Sequence, residues 1–125
     1  MFLSYNELKQ YVQEKILKYK KEIEEDMYIS SLKWDKDFHI TEEIYPQKIK
    51  IKANLFSIFG FYYQNGKITK RKVNLKNKKI FPTKEKAQLY FNERLQEYKQ
   101  QINNKIFLLK EQVNTLERKF KNNQI

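Results

Sequence analysis

The chain has 125 residues, the usual size of one domain, so we expect a single domain spanning residues 1–125. It contains no cysteine, which excludes disulfide bonds and metal sites built on thiolates. Its 26 Lys and Arg outnumber 15 Asp and Glu, and residues 47–86 alone hold 12 basic residues and one acidic residue. We expect this segment to attract phosphates or an acidic protein surface, with a strength that falls as salt is added.

The ends and the hydropathy of the chain bear on its location. The first residues, MFLSYNELKQ, lack the basic and apolar regions of a secretory leader. No stretch approaches the roughly 18 apolar residues of a membrane-spanning helix. The sequence therefore predicts a soluble protein in the cytoplasm of a host cell, with no membrane partner.

The N-terminal segment predicts a helix over residues 1–26. Ser4 followed by Glu7 is typical of a capping box, in which each side chain accepts a hydrogen bond from the other residue's backbone. Apolar residues then recur at steps of three or four and so define one helical face. They are Leu8, Val12, Ile16, Tyr19, Ile23 and Met27.

Residues 27–82 predict short antiparallel strands. Segments 28–34 and 38–45 are separated by the turn-forming Asp35-Lys36-Asp37, and Pro46 is expected to close the second segment. In residues 48–53 lysine alternates with apolar residues, which predicts a half-buried strand. Asn65-Gly66 predicts a two-residue hairpin, because both positions of a type I′ turn need a positive φ. Strands at 67–75 and 80–81 complete the meander.

A long helix is predicted over residues 83–121, capped by Thr83. Its apolar residues recur at steps of three or four from Ala87 to Phe120. At 1.5 Å per residue it would reach roughly 50 Å, which is more than a small sheet covers. The overhang must therefore pack on the first helix or on another subunit, so that a homodimer through this helix is expected. A break is expected at Asn103-Asn104.

These elements predict an α+β fold with an N-terminal helix, a small antiparallel sheet or SH3-like barrel of about four or five strands, and a long C-terminal helix. Residues 27–34, MYISSLKW, and residues 80–87, IFPTKEKA, frame the strand region. They resemble the strand meander and the "TKEEA" helix start of small phage and mobile-element proteins of low-GC bacteria. The resemblance covers residues 27–98 and implies the SH3-like barrel. It brings no catalytic residues.

Catalysis is not expected, because one histidine and no cysteine give little from which to build an activated base or nucleophile. No cofactor is expected either, since two glycines cannot form a Gly-rich phosphate loop. Asp35, Asp37 and His39 alternate and could ligate a metal if they shared one strand. The Asp-Lys-Asp stretch is more typical of a turn, so we interpret it as a solvated hairpin loop with no metal.

Residues 56–63 hold five aromatic side chains, which we interpret mainly as core. If Phe61 and Tyr63 point inward, Tyr62 points outward, toward the lysines of residues 48–52. In the return strand Lys70 and Lys72 share one face and Arg71 lies on the other. The predicted residues that bind nucleic acid or a protein partner are Lys48, Lys50, Lys52, Tyr62, Lys67, Lys70, Arg71, Lys72, Lys76, Lys78 and Lys79.

Two functions follow from this pattern. In the first, a non-catalytic protein binds nucleic-acid backbone through its lysine-rich sheet face, with little sequence preference. In the second, the protein inhibits a host nucleic-acid enzyme or defence complex by protein–protein binding, as anti-CRISPR proteins of such elements do. A structural coiled-coil subunit is the third alternative.

Overall fold

The computed structural model describes residues 2–123. Its elements are α1 (Tyr5–Tyr19), β1 (Ile23–Trp34), β2 (Ile40–Ala53), β3 (Ile58–Gln64), β4 (Lys67–Val73), a 3₁₀ turn (Leu75–Asn77), β5 (Ile80–Phe81) and α2 (Lys84–Asn122). The strands form one antiparallel sheet in the order β4-β3-β2-β1-β5. The predicted α+β class is confirmed. The sheet is open, with β4 and β5 as its edges, so the SH3-like barrel is not formed.

The predicted capping box of α1 is confirmed. The Glu7 amide donates to Ser4 Oγ over 3.2 Å, and the Ser4 amide donates to Glu7 Oε1 over 3.4 Å. The predicted end at residue 26 is wrong, because α1 ends at Tyr19 and Lys20 turns left-handed with a φ of 53°. Ile23 and Met27 belong to β1 instead. Their four-residue spacing fits a strand of period two as well as a helix.

β2 runs through Pro46, where the sequence predicted an end. Pro46 lies in a bulge, since the strand pairs Ile29 with Gln47 and Ser31 with Ile44, which leaves Tyr45 and Pro46 opposite Ser30. Because β3 pairs only with the second half of β2, no neighbouring strand needs an amide from Pro46. Bulges and free strand edges are the places where a sheet accepts proline.

The hairpin predicted at Asn65-Gly66 is confirmed. Gln64 pairs with Lys67, and the two turn residues have φ values of 52° and 77°. These positive angles are those of a type I′ turn, whose twist matches that of the two strands.

The two faces of the sheet are covered by different helices. On one face, the α1 face, buried side chains of α1, β1, β2, β4 and β5 form one cluster, which includes Leu8, Val12, Met27, Ile49, Ile51 and Val73. On the opposite face, the α2 face, Phe81 of β5 lies with its ring centroid 5.2 Å from that of Tyr90 in α2. Leu32, Ala87 and Phe91 are buried there. Because α2 packs on β1, β2 and β5, the α2 face of β3 and β4 is open to solvent.

The long C-terminal helix is confirmed, with Thr83 as its cap and Lys84 as its first residue. It continues to Asn122 without the break expected at Asn103-Asn104. Its 39 residues correspond to a length of roughly 58 Å. Among residues 2–123, no helix combines the length and the apolarity needed to cross a membrane.

Candidate nucleic-acid interface

The register of β2 and β3 places lysines beside aromatic rings on the α2 face. Lys50 pairs with Phe61 and Lys52 pairs with Phe59. Residues directly opposite each other in adjacent strands point to the same side of a sheet. β4 adds a further lysine to this side, since Lys72 pairs with Phe61. We call the resulting set the basic–aromatic surface: Lys48, Lys50, Lys52, Phe59, Phe61, Tyr63 and Lys72.

Each ring of the basic–aromatic surface is within reach of an ammonium group. Lys72 Nζ lies 4.4 Å from the ring centroid of Phe59, and Lys52 Nζ lies 5.7 Å from that of Phe61. Lys48 Nζ lies 4.7 Å from the ring centroid of Tyr63. These are cation–π distances, which at exposed sites contribute about 0.5–1 kcal/mol each. The ammonium groups of these lysines thus contact the ring faces of their neighbours on the sheet.

The predicted direction of Tyr62 is wrong. Tyr62 pairs with Ile49 and packs against the buried cluster of the α1 face, so that its neighbours Phe61 and Tyr63 lie on the opposite face. Arg71 lies over the Tyr62 ring at 4.8 Å and is on the α1 face with it. Tyr62 and Arg71 therefore do not share a surface with the lysines of β2. The interpretation of the aromatic run as core is also corrected, because Phe59 is 41% exposed and Phe56 is 96% exposed.

The structure separates the remaining predicted binding residues from one another. Lys70 is exposed in a bulge of β4, beside the basic–aromatic surface, and Lys67 flanks the hairpin turn. Lys76 lies beside α1, because its Nζ is 5.7 Å from the Tyr5 ring centroid, and Lys78 Nζ lies 3.5 Å from Glu42 of β2. Lys79 donates to the Tyr90 hydroxyl of α2 over 2.8 Å. The predicted set is thus split, and five of its members surround the open face: Lys48, Lys50, Lys52, Lys70 and Lys72.

Two carboxylates of β1 pair with these lysines. Lys50 Nζ lies 2.8 Å from Asp26, and Lys52 Nζ lies 3.6 Å from Glu24. Lys50 keeps only 17% of its side chain exposed, whereas Lys52 keeps 47%. The hydrogen bonds from Lys50 and from the Tyr63 hydroxyl lower the pKa of Asp26 below its usual value. Asp26 is therefore an anion at neutral pH that anchors Lys50, while Lys52 remains more exposed to a ligand.

Replacing Asp26 with asparagine is expected to reduce the pH dependence of stability. Because the folded pKa of Asp26 is lowered, its carboxylate stabilises the fold above the unfolded pKa of about 4, and this contribution is lost as the pH falls through the folded pKa. At 41% exposure it amounts to at most about 1 kcal/mol. Urea unfolding at about pH 7 and about pH 3 measures the difference between the native chain and Asp26→Asn.

Glu24→Gln is the matched control for that measurement, since its ion pair with Lys52 is longer and more exposed. We expect no measurable change in the free energy of unfolding for this variant. An equal loss for Glu24→Gln and Asp26→Asn would contradict the assigned role of Asp26.

The loop between β1 and β2 contains the acidic cluster considered as a metal site. Asp35, Asp37 and His39 lie close together and are exposed. One Asp35 oxygen accepts from the amides of Asp37 and His39, both over 2.9 Å, and the other lies 3.3 Å from His39 Nδ1. The Asp35 carboxylate therefore closes the turn, as the sequence predicted for this stretch.

Comparison of the chain with protein-family models, with curated proteins and with solved structures finds no match. The resemblance to phage and mobile-element proteins thus stays a prediction.

Proposed function

We propose that the protein binds single-stranded nucleic acid through the basic–aromatic surface, without catalysis and with little sequence preference. The observation that carries this proposal is the row of three rings on β3, flanked on both sides by lysines of β2 and β4. Aromatic rings offer stacking platforms to unpaired bases of any sequence, and lysines beside them contact the phosphates. Duplexes hide their base faces, so they are the poorer ligand.

Binding requires the lysines to leave the rings, and the magnitudes allow it. A cation–π contact at an exposed site contributes about 0.5–1 kcal/mol, whereas stacking of a base on an aromatic side chain contributes about 1–3 kcal/mol. A base that displaces Lys72 from Phe59 therefore gains more free energy from stacking than is lost with the cation–π contact. The displaced ammonium group is then free to contact the adjacent phosphate, because the lysine stem reaches beyond the ring.

Four lysines supply the charge for this contact. Lys48, Lys52, Lys70 and Lys72 are exposed, whereas Lys50 is held by Asp26. Neutralising about four phosphates of a single strand gives a slope of roughly −2.8 in a plot of log affinity against log salt. The same slope corresponds to a loss of roughly 50-fold in affinity between about 50 mM and about 200 mM salt.

Fluorescence anisotropy with a labelled oligothymidine of about 20 nucleotides tests this proposal across that range of salt. We expect the stated slope and weaker binding to a duplex of equal length. A slope near zero would contradict the electrostatic part of the proposal. Equal affinity for the duplex would contradict the stacking part.

A second candidate function, inhibition of a host nucleic-acid enzyme by protein–protein binding, is favoured by a different part of the surface. Phe56 is 96% exposed at the tip of the β2–β3 loop, and Leu17 and Leu55 beside it are 67% and 52% exposed. The loop is fixed, because Asn54 Oδ1 accepts from the amides of Phe56 and Ser57 over 2.8 and 2.9 Å. A protruding aromatic side chain on a hydrogen-bonded loop is suited to anchor a protein interface. Capture of a host protein from nuclease-treated lysate distinguishes this function from the first.

A further inference from the structure

The C-terminal half of α2 leaves the sheet and exposes an apolar stripe. Near the end of β1, Trp34 Nε1 donates a hydrogen bond of 3.0 Å to Gln101 Oε1 of the helix. From Asn103 to Asn123 every residue is exposed. About 20 residues of helix therefore project roughly 30 Å beyond the sheet.

The stripe has the spacing of a coiled coil. Its members follow one another at alternating steps of four and three residues: Ile102, Ile106, Leu109, Val113, Leu116 and Phe120. This is the heptad spacing that places all six side chains on one side of the helix. The last five members are between 44% and 65% exposed. An isolated helix of this length with such a stripe is marginal in water, so the stripe needs a partner.

We propose that a second copy of this chain covers the stripe and that the two helices run antiparallel. The proposal goes beyond nucleic-acid binding and does not depend on it. A second copy is the partner that the sequence favours, because two antiparallel copies of the stripe can pair every apolar residue with an apolar residue in one register. In that register the layers are Leu109 with Val113, Ile106 with Leu116 and Ile102 with Phe120, one residue from each copy. All six layers are apolar, and the two-fold axis passes at the level of Glu111.

The orientation follows from the face on which the stripe lies. Phe91 and Tyr98, which face the sheet in the first half of α2, are in line with Ile102 and Leu109, since each pair is eleven residues apart and eleven residues make about three full turns. In a parallel pair both sheets would have to lie between the two helices, where packed helices leave only about 8–10 Å between their axes. In the antiparallel pair each sheet lies beyond the end of the other helix. Steric exclusion therefore selects the antiparallel arrangement.

The flanking charges predict how the dimer responds to salt. The antiparallel register brings Lys105 of one copy near Lys119 of the other, and Lys110 near its own counterpart. Like charges on a helix surface repel weakly, and salt screens them. Self-association is therefore expected to strengthen with added salt, whereas oligonucleotide binding weakens. The covered apolar area is roughly 1,000 Å² in total, which is the size of a weak or transient interface, so the dimer is expected to dissociate on dilution.

Sedimentation equilibrium of the full chain at about 1–100 µM tests the dimer. The variant Leu109→Glu/Val113→Glu places two carboxylates at the centre of the stripe and is expected to weaken association at least about 100-fold. Its fold is expected to be unchanged by circular dichroism, because both side chains are exposed. The matched control is Phe107→Glu/Leu108→Glu, which changes two similarly exposed apolar residues outside the stripe and is expected to keep the dimer.

Disulfide trapping tests the orientation, since the native chain has no cysteine. Antiparallel pairing predicts that Ile106→Cys and Leu116→Cys cross-link when mixed, while neither cross-links alone. Two copies of residue 106 would then be roughly 15 Å apart, beyond the reach of a disulfide. Cross-linking of Ile106→Cys alone would overturn the orientation.

A monomer at about 100 µM would overturn the proposal and assign the stripe to a different protein. Association that survives Leu109→Glu/Val113→Glu would also overturn it.

Discussion

Replacing four lysines of the open sheet face with glutamine is expected to lower the affinity for single-stranded DNA about 100-fold at low salt and to bring the salt slope close to zero. The residues are Lys48, Lys52, Lys70 and Lys72. Each of the four is exposed, and each is proposed to contact one phosphate. Glutamine keeps the length and polarity of the side chain but cannot replace a counterion. Anisotropy titrations at several salt concentrations measure both quantities.

The matched control removes four lysines from other surfaces: Lys9, Lys36, Lys99 and Lys121. All four are exposed, and the formal net charge of +11 falls by four in both variants. If long-range attraction to the whole molecule dominated, the two variants would lose affinity equally. We expect less than about a fivefold loss for the control, because its lysines do not contact the bound strand. Equal losses would contradict the assignment of binding to the basic–aromatic surface.

Local signals in the sequence predicted those parts of the fold whose energies are local. The capping box of Ser4 and Glu7, the Asn65-Gly66 turn and the cap at Thr83 each depend on a few neighbouring residues, and all three are confirmed. The end of α1 was mispredicted because the stripe of α1 continues into the apolar residues of β1 without a change of spacing. Three residues, 20–22, separate the two elements, and the reversal begins at the left-handed Lys20, a residue type that carries no signal for that conformation.

The open sheet face was predicted only in part, because strand register decides which side chains meet. Alternation along β2 correctly placed its lysines on one side and Ile49 and Ile51 in the core. Which of the aromatic residues of β3 would join those lysines depended on whether Tyr62 or Phe61 pairs with Lys50. A shift of one residue exchanges the two faces of a strand, and nothing within residues 58–64 fixes that choice. Pairing with β2 fixes it, by bringing Phe61 opposite Lys50.

The charge pattern shows the same dependence on register. Residues 1–46 hold 10 acidic residues and 7 lysines, so the acidic excess precedes the basic segment in the chain. Antiparallel pairing of β1 with β2 brings Asp26 opposite Lys50 and Glu24 opposite Lys52. Part of the positive charge of residues 47–86 is therefore neutralised within the sheet. The binding surface consequently depends on Lys48, Lys70 and Lys72, together with the more loosely paired Lys52.

Phe91→Ala is expected to cost about 3–5 kcal/mol of unfolding free energy, the usual range for removing a buried phenylalanine side chain. Phe91 is 3% exposed, and its ring centroid lies 4.6 Å from that of Tyr45 in β2. No other helix covers this face of β1 and β2 among residues 2–123. Loss of the ring leaves a cavity at the contact between α2 and the sheet. Urea unfolding measures the change as a lower midpoint at an unchanged slope.

Phe107→Ala is the control for that change, because it removes the same side chain from the same helix. Phe107 is 62% exposed on the overhang, outside the apolar stripe, so its removal should alter the unfolding free energy by no more than about 0.5 kcal/mol. The contrast between the two variants reports where α2 is anchored. If both were equally destabilised, the overhang would share in the folded core, and the stripe could not be free to pair with a second copy. A large effect of Phe91→Ala alone leaves the first half of α2 as part of the sheet's core and the second half available for association.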